Sequence, residues 1–302
     1  MKISVASPED APRAAALYNA AFDDRVITAA GMRYRQISAV PEDRLGYWRA
    51  EEGGDLVGWA FAGRDTFAPA DTMGFAGIVV HPEHRRRGIG SALWEVASEH
   101  LADVGVRRIV AHGRGDADSV AFPRARGFTH EATDTTSVVD PRAVGAAPEP
   151  PPGVVISPLA AYADDPEPVY EADRASAQDE PGPSDYSGMT YVDWRRLIWS
   201  QPDCNHDLSV AAVVSGVVVG TSFLYADLET GRAGNAGTGV IREFRGRGLA
   251  LLMKQHSLER AAAAGITTVI TQNDDTNAPM LAINARLGYR PLSSGRAWVL
   301  ER

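Results

Sequence analysis

Arg85-Arg86-Arg87-Gly88-Ile89-Gly90 and Arg245-Gly246-Arg247-Gly248-Leu249-Ala250 are two versions of one turn, each following a β-branched segment and opening a helical one. Glycine at a helix start leaves main-chain N–H groups converging with no Cβ in front of them, a concavity suited to a pyrophosphate. Both turns therefore read as sites for a nucleotide cofactor. They stand about 160 residues apart, and a second landmark, Arg126-Gly127-Phe128 against Leu287-Gly288-Tyr289, recurs at nearly the same offset. Two landmarks in register indicate a duplicated domain. One Gly-rich match alone would carry little weight, because glycines end helices and make turns everywhere.

The 302 residues fit two domains of about 150 residues, each large enough to bury a core without staples. Cys204 is the lone cysteine, which excludes an intramolecular disulfide and a thiolate metal cluster and makes the reduced cytoplasm the expected compartment. The start, Met1-Lys2-Ile3-Ser4-Val5, reads as a strand without a charged-then-apolar leader. The apolar run 210–219 is broken by Ser215-Gly216 and too short to span a bilayer, so no membrane partner is expected. A net charge of −9 argues against nucleic acid, since backbone binding needs a basic footprint. An anionic cofactor at the arginine-bearing turns and a neutral or cationic substrate elsewhere suit this balance. The histidines form no ligand cluster, and no metal is expected.

Periodicity gives each half the same order. In the first, 2–5 reads as a strand, 7–10 as a cap and 11–21 as a helix, followed by a helical region around Tyr34. Strands 46–51 and 56–62 flank a hairpin turn at 52–55, and strand 73–80 leads into the first Gly-rich turn. Helix 91–104, strand 107–111, helix 117–126 and a closing pair of strands in 128–139 complete it. The prolines of 141–152 predict an extended linker. The second half reads as strand 154–157, a helical region 159–177, a Pro- and Gly-rich loop through Tyr186, and helix 191–200. Strands 208–214, 217–225 and 237–241, helix 249–264, strand 267–271, helix 278–287 and closing strands from Tyr289 follow. The expected fold is α/β (α+β): tandem domains at 1–140 and 153–302, each a mostly antiparallel mixed sheet flanked by helices.

With these elements in place, both halves resemble the GNAT superfamily of N-acetyltransferases, whose signature Arg/Gln-x-x-Gly-x-Gly/Ala is filled by Arg85, Gly88 and Gly90 and again by Arg245, Gly248 and Ala250. The two-copy layout is similar to mycothiol synthase-like tandem acetyltransferases. The resemblance covers nearly the whole chain and implies acetyl-CoA as cofactor. Its pyrophosphate would lie on the N–H groups of Arg85 to Gly90 or of Arg245, Gly246, Arg247, Gly248, Leu249 and Ala250. Its pantetheine would thread between splayed strands, 78–80 with 109–111 and 239–241 with 269–271, which brings Val79, Val80, Val240 and Ile241 to the cofactor. Asn277, matched by Asp116 in the first half, is the implied pantetheine contact. Where the family often places a thiolate-protonating tyrosine, this chain has Pro123 and Asn284, the latter similar to a GNAT subgroup that carries asparagine there.

Acetyl transfer needs a neutral amine, a polarised thioester carbonyl and a proton for the leaving thiolate, while placement alone supplies about 7 kcal/mol or more at best. Main-chain N–H groups near 78–80 or 239–241 can meet the oxyanion. Asp185 is the favoured general base, with Tyr186, Glu243 and His256 as other candidates. Asn284 can hydrogen-bond sulfur without surrendering a proton, and Thr238 stands beside the acetyl position or simply fills a strand. The stripe Tyr191, Trp194 and Trp199 reads as core, with an acceptor pocket as the alternative. The expected activity is direct acetyl transfer to a primary amine of a small molecule, the C-terminal half being the catalytic one. An acyl-CoA-binding sensor or scaffold, and a peptide or protein N-acetyltransferase, are the alternatives. Oligomeric state is open, a homodimer included.

Overall fold

The computed structural model describes residues 1–68, 72–178 and 188–302. The chain forms two compact units, Met1–Thr133 with Ser294–Arg302 and Asp134–Ser293. The division falls within a strand ahead of the Pro-rich stretch, and residues 294–302 belong to the N-terminal unit.

In unit 1 the sheet order is β1 (Lys2–Val5), β2 (Gly46–Glu52), β3 (Asp55–Arg64), β4 (Met73–Val80), β5 (Arg108–Arg114) and β12 (Arg290–Glu301, through its residues from 294). Among the described residues of this unit, β4 and β5 are the parallel pair. Helix α1 (Ala11–Ala21) buries Ala11, Ala14, Leu17, Tyr18 and Ala21 with Trp59 and Val79. Alanine at three of these five helix positions lets the helix approach the strands closely. Helix α3 (Ile89–Asp103) presents the single stripe Ile89, Leu93, Ala97 and Leu101, which meets Ala60 and Ala62 on the other face of the sheet. The alternation of Trp59 and Ala60 between these clusters is the two-residue period of a strand covered on both faces. Gly105, at φ +80°, ends α3, and the Val106 N–H returns to the Leu101 carbonyl at 2.9 Å. Helices α2 (Ala29–Ile37) and α4 (Ala117–Arg124) complete this unit.

Unit 2 orders β6 (Thr129–Val139, from residue 134), β11 (Thr268–Asp274), β10 (Arg232–Val240), β9 (Val217–Asp227), β8 (Val210–Val214) and β7 (Val154–Pro158), with β10 and β11 the parallel pair. Helix α5 (Glu167–Ala177) and helix α7 (Leu249–Ala263) pack on β9 and β10. Helix α8 (Ala278–Arg286) follows β11.

Several sequence expectations need correction. The closing pairs of strands are single long strands, β6 and β12, because each continues a ladder that ordinary period-2 patterning cannot terminate. The strand expected at 237–241 begins at Arg232, its glycines and polar residues having masked it. The helix expected over 191–200 is one α turn, α6 (Tyr191–Trp194), passing into a π-helical turn at Arg195–Trp199. The 159–177 region is a short 3₁₀ turn at Leu159–Tyr162 separated from α5. The Pro-rich segment opens with a 3₁₀ turn at Pro141–Ala143 whose Pro141 is buried, and the Pro148 carbonyl accepts from His256 Nε2 at 3.1 Å, so this segment lies against α7. Among the described residues no helix is long and apolar enough to cross a membrane.

Candidate functional site

In both units the parallel strands part directly above the Gly-rich turn. Pairing of β4 with β5 runs from Met73↔Arg108 to Phe75↔Val110, and that of β10 with β11 from Arg232↔Thr268 to Asn235↔Thr271. Beyond those points lie 76–80 with 111–114, and 236–240 with 272–274. The register corrects the expected splayed pairs, since Ile109 and Val269 are ladder partners of Gly74 and Ala233, upstream of the forks. Register is a long-range property, and local patterning does not encode it.

Each turn is shaped by backbone in the left-handed region. Gly88 and Gly248 lie at φ +83° and +77°, and ahead of them Arg86 and Gly246 lie at +63° and +73°. The buried Ile89 and Leu249 anchor the first helical turn in the core, which fixes the aim of N–H groups that have no partner inside the helix. The arginines opening the signature tie turn to strand: Arg245 Nε donates to the Val240 carbonyl at 2.8 Å, and Arg85 Nε to that of Val80 at 3.4 Å. Arg86 and Arg87 pair loosely with Asp118 at 3.6 Å and Glu52 at 3.9 Å, while Arg247 caps the Glu243 carbonyl at 3.2 Å and lies over Phe244. These exposed ion pairs are long and weak, which leaves the cation charge of the turn largely uncompensated. Any Cβ at Gly90 would sit 3.1 Å from Phe122 Cε2, whereas unit 2 carries Ala250 at the matching place.

Unit 1 holds a cavity of about 620 Å³ between the strands of its fork, lined among others by Val79, Val80, Gly88, Gly90, Trp94 and Trp298. The cradle and the cavity above it fit a diphosphate joined to a slender arm. Phe122 forms one wall, with the Arg126 guanidinium 3.6 Å from its ring centroid. Arg126 also donates to the Phe122 carbonyl and to Ser91 Oγ at 2.8 Å, and burial pulls its basicity down. Pro123, also in the wall, offers no donor. Asp116 caps α4 through the Ser119 N–H at 3.0 Å; burial works against its ionisation, but the Ser119 hydrogen bonds outweigh it and hold the carboxyl below its ordinary value.

Unit 2 handles its fork differently. Strand β10 is bulged against β9: Asn235 pairs with Leu224 and Gly237 with Phe223, which leaves Ala236 outside the ladder. The β3–β4 ladder has no such shift. Asn235 Oδ1 accepts from Lys254 Nζ at 2.8 Å and from Thr238 Oγ1 at 3.0 Å, and its Nδ2 donates to the Phe223 carbonyl at 3.0 Å and to Ser222 Oγ at 3.2 Å. Ser222 and Thr238 are 2.9 Å apart. Lys254 is 2 % exposed, over the Tyr289 ring, and burial pulls its ammonium down to about 7.

Of the residues expected at the site, Thr238 belongs to this polar chain, Val240 ends the strand against Leu249 and Met253, and Ile241, just past it, packs on the same cluster. Asn277 Oδ1 caps α8 through the Met280 N–H at 3.3 Å. Asn284 is buried; its Nδ2 donates to Asn273 Oδ1 at 2.7 Å, and its Oδ1 has no partner. Asp185 and Tyr186 lie outside the described residues. His256 is turned to the Pro-rich segment, and Glu243 is exposed beside the turn. Trp194 and Trp199 are core residues, stacked 5.6 Å apart. Among the described residues no group of His, Cys, Asp or Glu is gathered to hold a metal ion. Sequence reading passed over Lys254, Asn235 and Ser222. The available signal was a lysine on the α7 face shared with Ser257, Leu258 and Ala261, a charge inside a buried stripe.

The sequence profile described as Acetyltransferase (GNAT) family matches residues 13–128 and again 169–289. A mycothiol acetyltransferase from a Nocardioides species is 27% identical over 225 residues, spanning 70% of this chain and 75% of that protein. A solved tandem GNAT protein from the clavulanic acid biosynthesis pathway superposes with a TM-score of 0.72 at 22% identity, covering 99% of this chain and 98% of its own. A GCN5-related N-acetyltransferase from Sphaerobacter thermophilus gives 0.71 at 20% identity, covering 99% and 95%. At such identities the structural likeness speaks for the fold. The profile, met twice and over most of the chain, settles the relationship: this protein belongs to the acetyltransferase (GNAT) family.

Proposed function

We propose that this protein transfers an acetyl group from acetyl-CoA directly to a primary amine of a small molecule, in the cytoplasm, and that unit 2 carries out the chemistry. The observation that carries the proposal is the parting of two parallel strands immediately above a Gly-rich helix start, made twice. In unit 2, the N–H groups from Arg245 to Ala250 would hold the diphosphate, and the edges 236–240 and 272–274 the pantetheine. When bound, acetyl-CoA supplies an activated thioester and a thiol leaving group. The protein's own part is to position the amine and stabilise developing charge. The bulge at Ala236 frees main-chain polar groups beside the fork, where an oxyanion donor is needed. Direct transfer is supported by Cys204: it is buried, and burial pushes its thiol up to about 12, far from a thiolate nucleophile at neutral pH. The mycothiol acetyltransferase relative supports a small-molecule acceptor.

Unit 1 would then bind a second acetyl-CoA without turnover, as Pro123 offers the sulfur no hydrogen bond where Asn284 carries an amide N–H; the thiolate's proton in unit 2 would come from water. The open cavity of unit 1 favours the reverse assignment as a second reading. Gly248→Val and Gly88→Val separate the two, because each forces a β-branched residue into the left-handed region of one turn only. CoA-thiol release across an amine panel should fall at least about 100-fold in Gly248→Val, while Gly88→Val keeps turnover and loses one acetyl-CoA equivalent by calorimetry. Turnover lost only in Gly88→Val would transfer the chemistry to unit 1.

A further inference from the structure

Lys254 is a fully buried lysine whose described polar partner is an amide oxygen, not a carboxylate. Burying an ammonium without a counter-charge is costly, and an apolar side chain of similar volume would serve the core better. Unit 1 has no charge at the matching place: Trp94, partly buried and lining the cavity, stands the same distance along α3 from its Gly-rich turn as Lys254 does along α7. The two positions also differ in what lies above them. Over Lys254 the strand is bulged and carries Asn235; in unit 1 the ladder is regular and Ala76 stands at the matching register. Lysine occurs with the bulge, tryptophan without it.

The hydrogen-bond accounting shows what the lysine does. Asn235 has two acceptor lone pairs and two donors; Lys254 and Thr238 occupy the first, while the second go to Phe223 and Ser222, with the Gly237 carbonyl as a longer third acceptor at 3.5 Å. Ser222 and Thr238 close the circuit at 2.9 Å. We infer that Lys254 is a positioning residue that holds the Asn235 carboxamide, and through it Thr238 and Ser222, so that the bulged backbone 235–238 keeps one conformation at the mouth of the unit 2 fork. Its lowered basicity agrees, because a neutral amine donates to Asn235 without a full buried charge. The consequence for catalysis rests on the function proposed above; the clamp itself does not.

The test is Lys254→Met in the full chain, with two independent readouts. Amide hydrogen exchange at 235–240 without ligand should rise at least tenfold, and kcat for CoA-thiol release should fall about tenfold, with KM for acetyl-CoA changed less than twofold. The melting temperature at pH 7 should hold or rise, which a merely structural role does not allow alongside lower kcat. Unchanged exchange would overturn the clamp. Faster exchange with unchanged kcat would overturn its catalytic role, and faster exchange in a protein whose wild type releases no thiol would sustain the clamp and sink the proposed activity. Thr238→Val provides the second variant: it removes the far end of the same circuit, so it should raise exchange over the same residues, and the double variant should be no worse than the worse single one. Additive effects would sever Thr238 from Lys254.

Discussion

Unit 1 and unit 2 carry the same Gly-rich turn and the same forked strands, yet one fork is an open slot walled by Trp94, Phe122 and Trp298 while the other is bulged over a lysine–asparagine–threonine–serine circuit. The cradle is made of main-chain groups, so it tolerates Arg86 against Gly246 and Gly90 against Ala250 with little change of shape. The fork is made of side chains, and there the copies have separated. Duplication can thus retain one backbone cradle twice while leaving each copy free to diverge in the strands above it.

The largest way to break this comparison is Trp298→Ala. Trp298 is 2 % exposed and walls the unit 1 cavity, so its removal should cost about 3–5 kcal/mol and lower a unit 1 transition in calorimetry, with thiol release at permissive temperature retained. A matching loss of turnover would mean that unit 1 shares in the chemistry. Lys254→Met sharpens the contrast through pH. The folded-state pKa of about 7 lies below the ordinary 10.5, so the buried lysine destabilises fully below about pH 7, and that penalty fades as pH climbs through 10.5. The variant should therefore gain on the order of a few kcal/mol over wild type at pH 7 and progressively less by pH 10. Burial raises the Tyr289 hydroxyl in the folded state, so ionisation of that tyrosine in the unfolded chain lowers the stability of both proteins as pH nears 10, and it is their difference that reports the lysine. Chemical denaturation at both values measures it; a constant difference would refute a neutralised lysine.

Gly90→Ala gives unit 1 the residue of unit 2. Phe122 is 3.1 Å from the new Cβ and is backed by Arg126, so it cannot easily withdraw; a cost of about 1 kcal/mol and several-fold weaker acetyl-CoA binding at unit 1 are expected by calorimetry. Arg86→Gly has the smallest expected effect. It relieves a left-handed arginine but frees the unfolded chain, so stability should move by less than about 1 kcal/mol, with acetyl-CoA affinity of unit 1 falling through loss of one cation.

Sequence made the cradle legible because glycine at a helix start has few other uses, and the duplication made each turn a witness for the other. Helices α1, α3 and α7 were readable within a residue or two from their apolar stripes. The forks' registers were not, since which residue faces which across β10 and β11 is decided by distant pairing. Neither was the bulge: Asn235-Ala236-Gly237 is an ordinary string until β9 is laid beside it. Lys254 drew no reading because a lysine on a helix is ordinarily solvated, and only the packed α7 shows it inside.

The N-terminal unit takes its edge strand and one cavity wall from residues 294–302. A ribosome reading this message must therefore make all of 134–293 before Trp298 exists, roughly ten to thirty seconds at ordinary elongation rates. Throughout that interval the nascent first unit has β5 uncapped and its slot unroofed, a natural client for chaperones. The part of the polypeptide that is translated first is finished last.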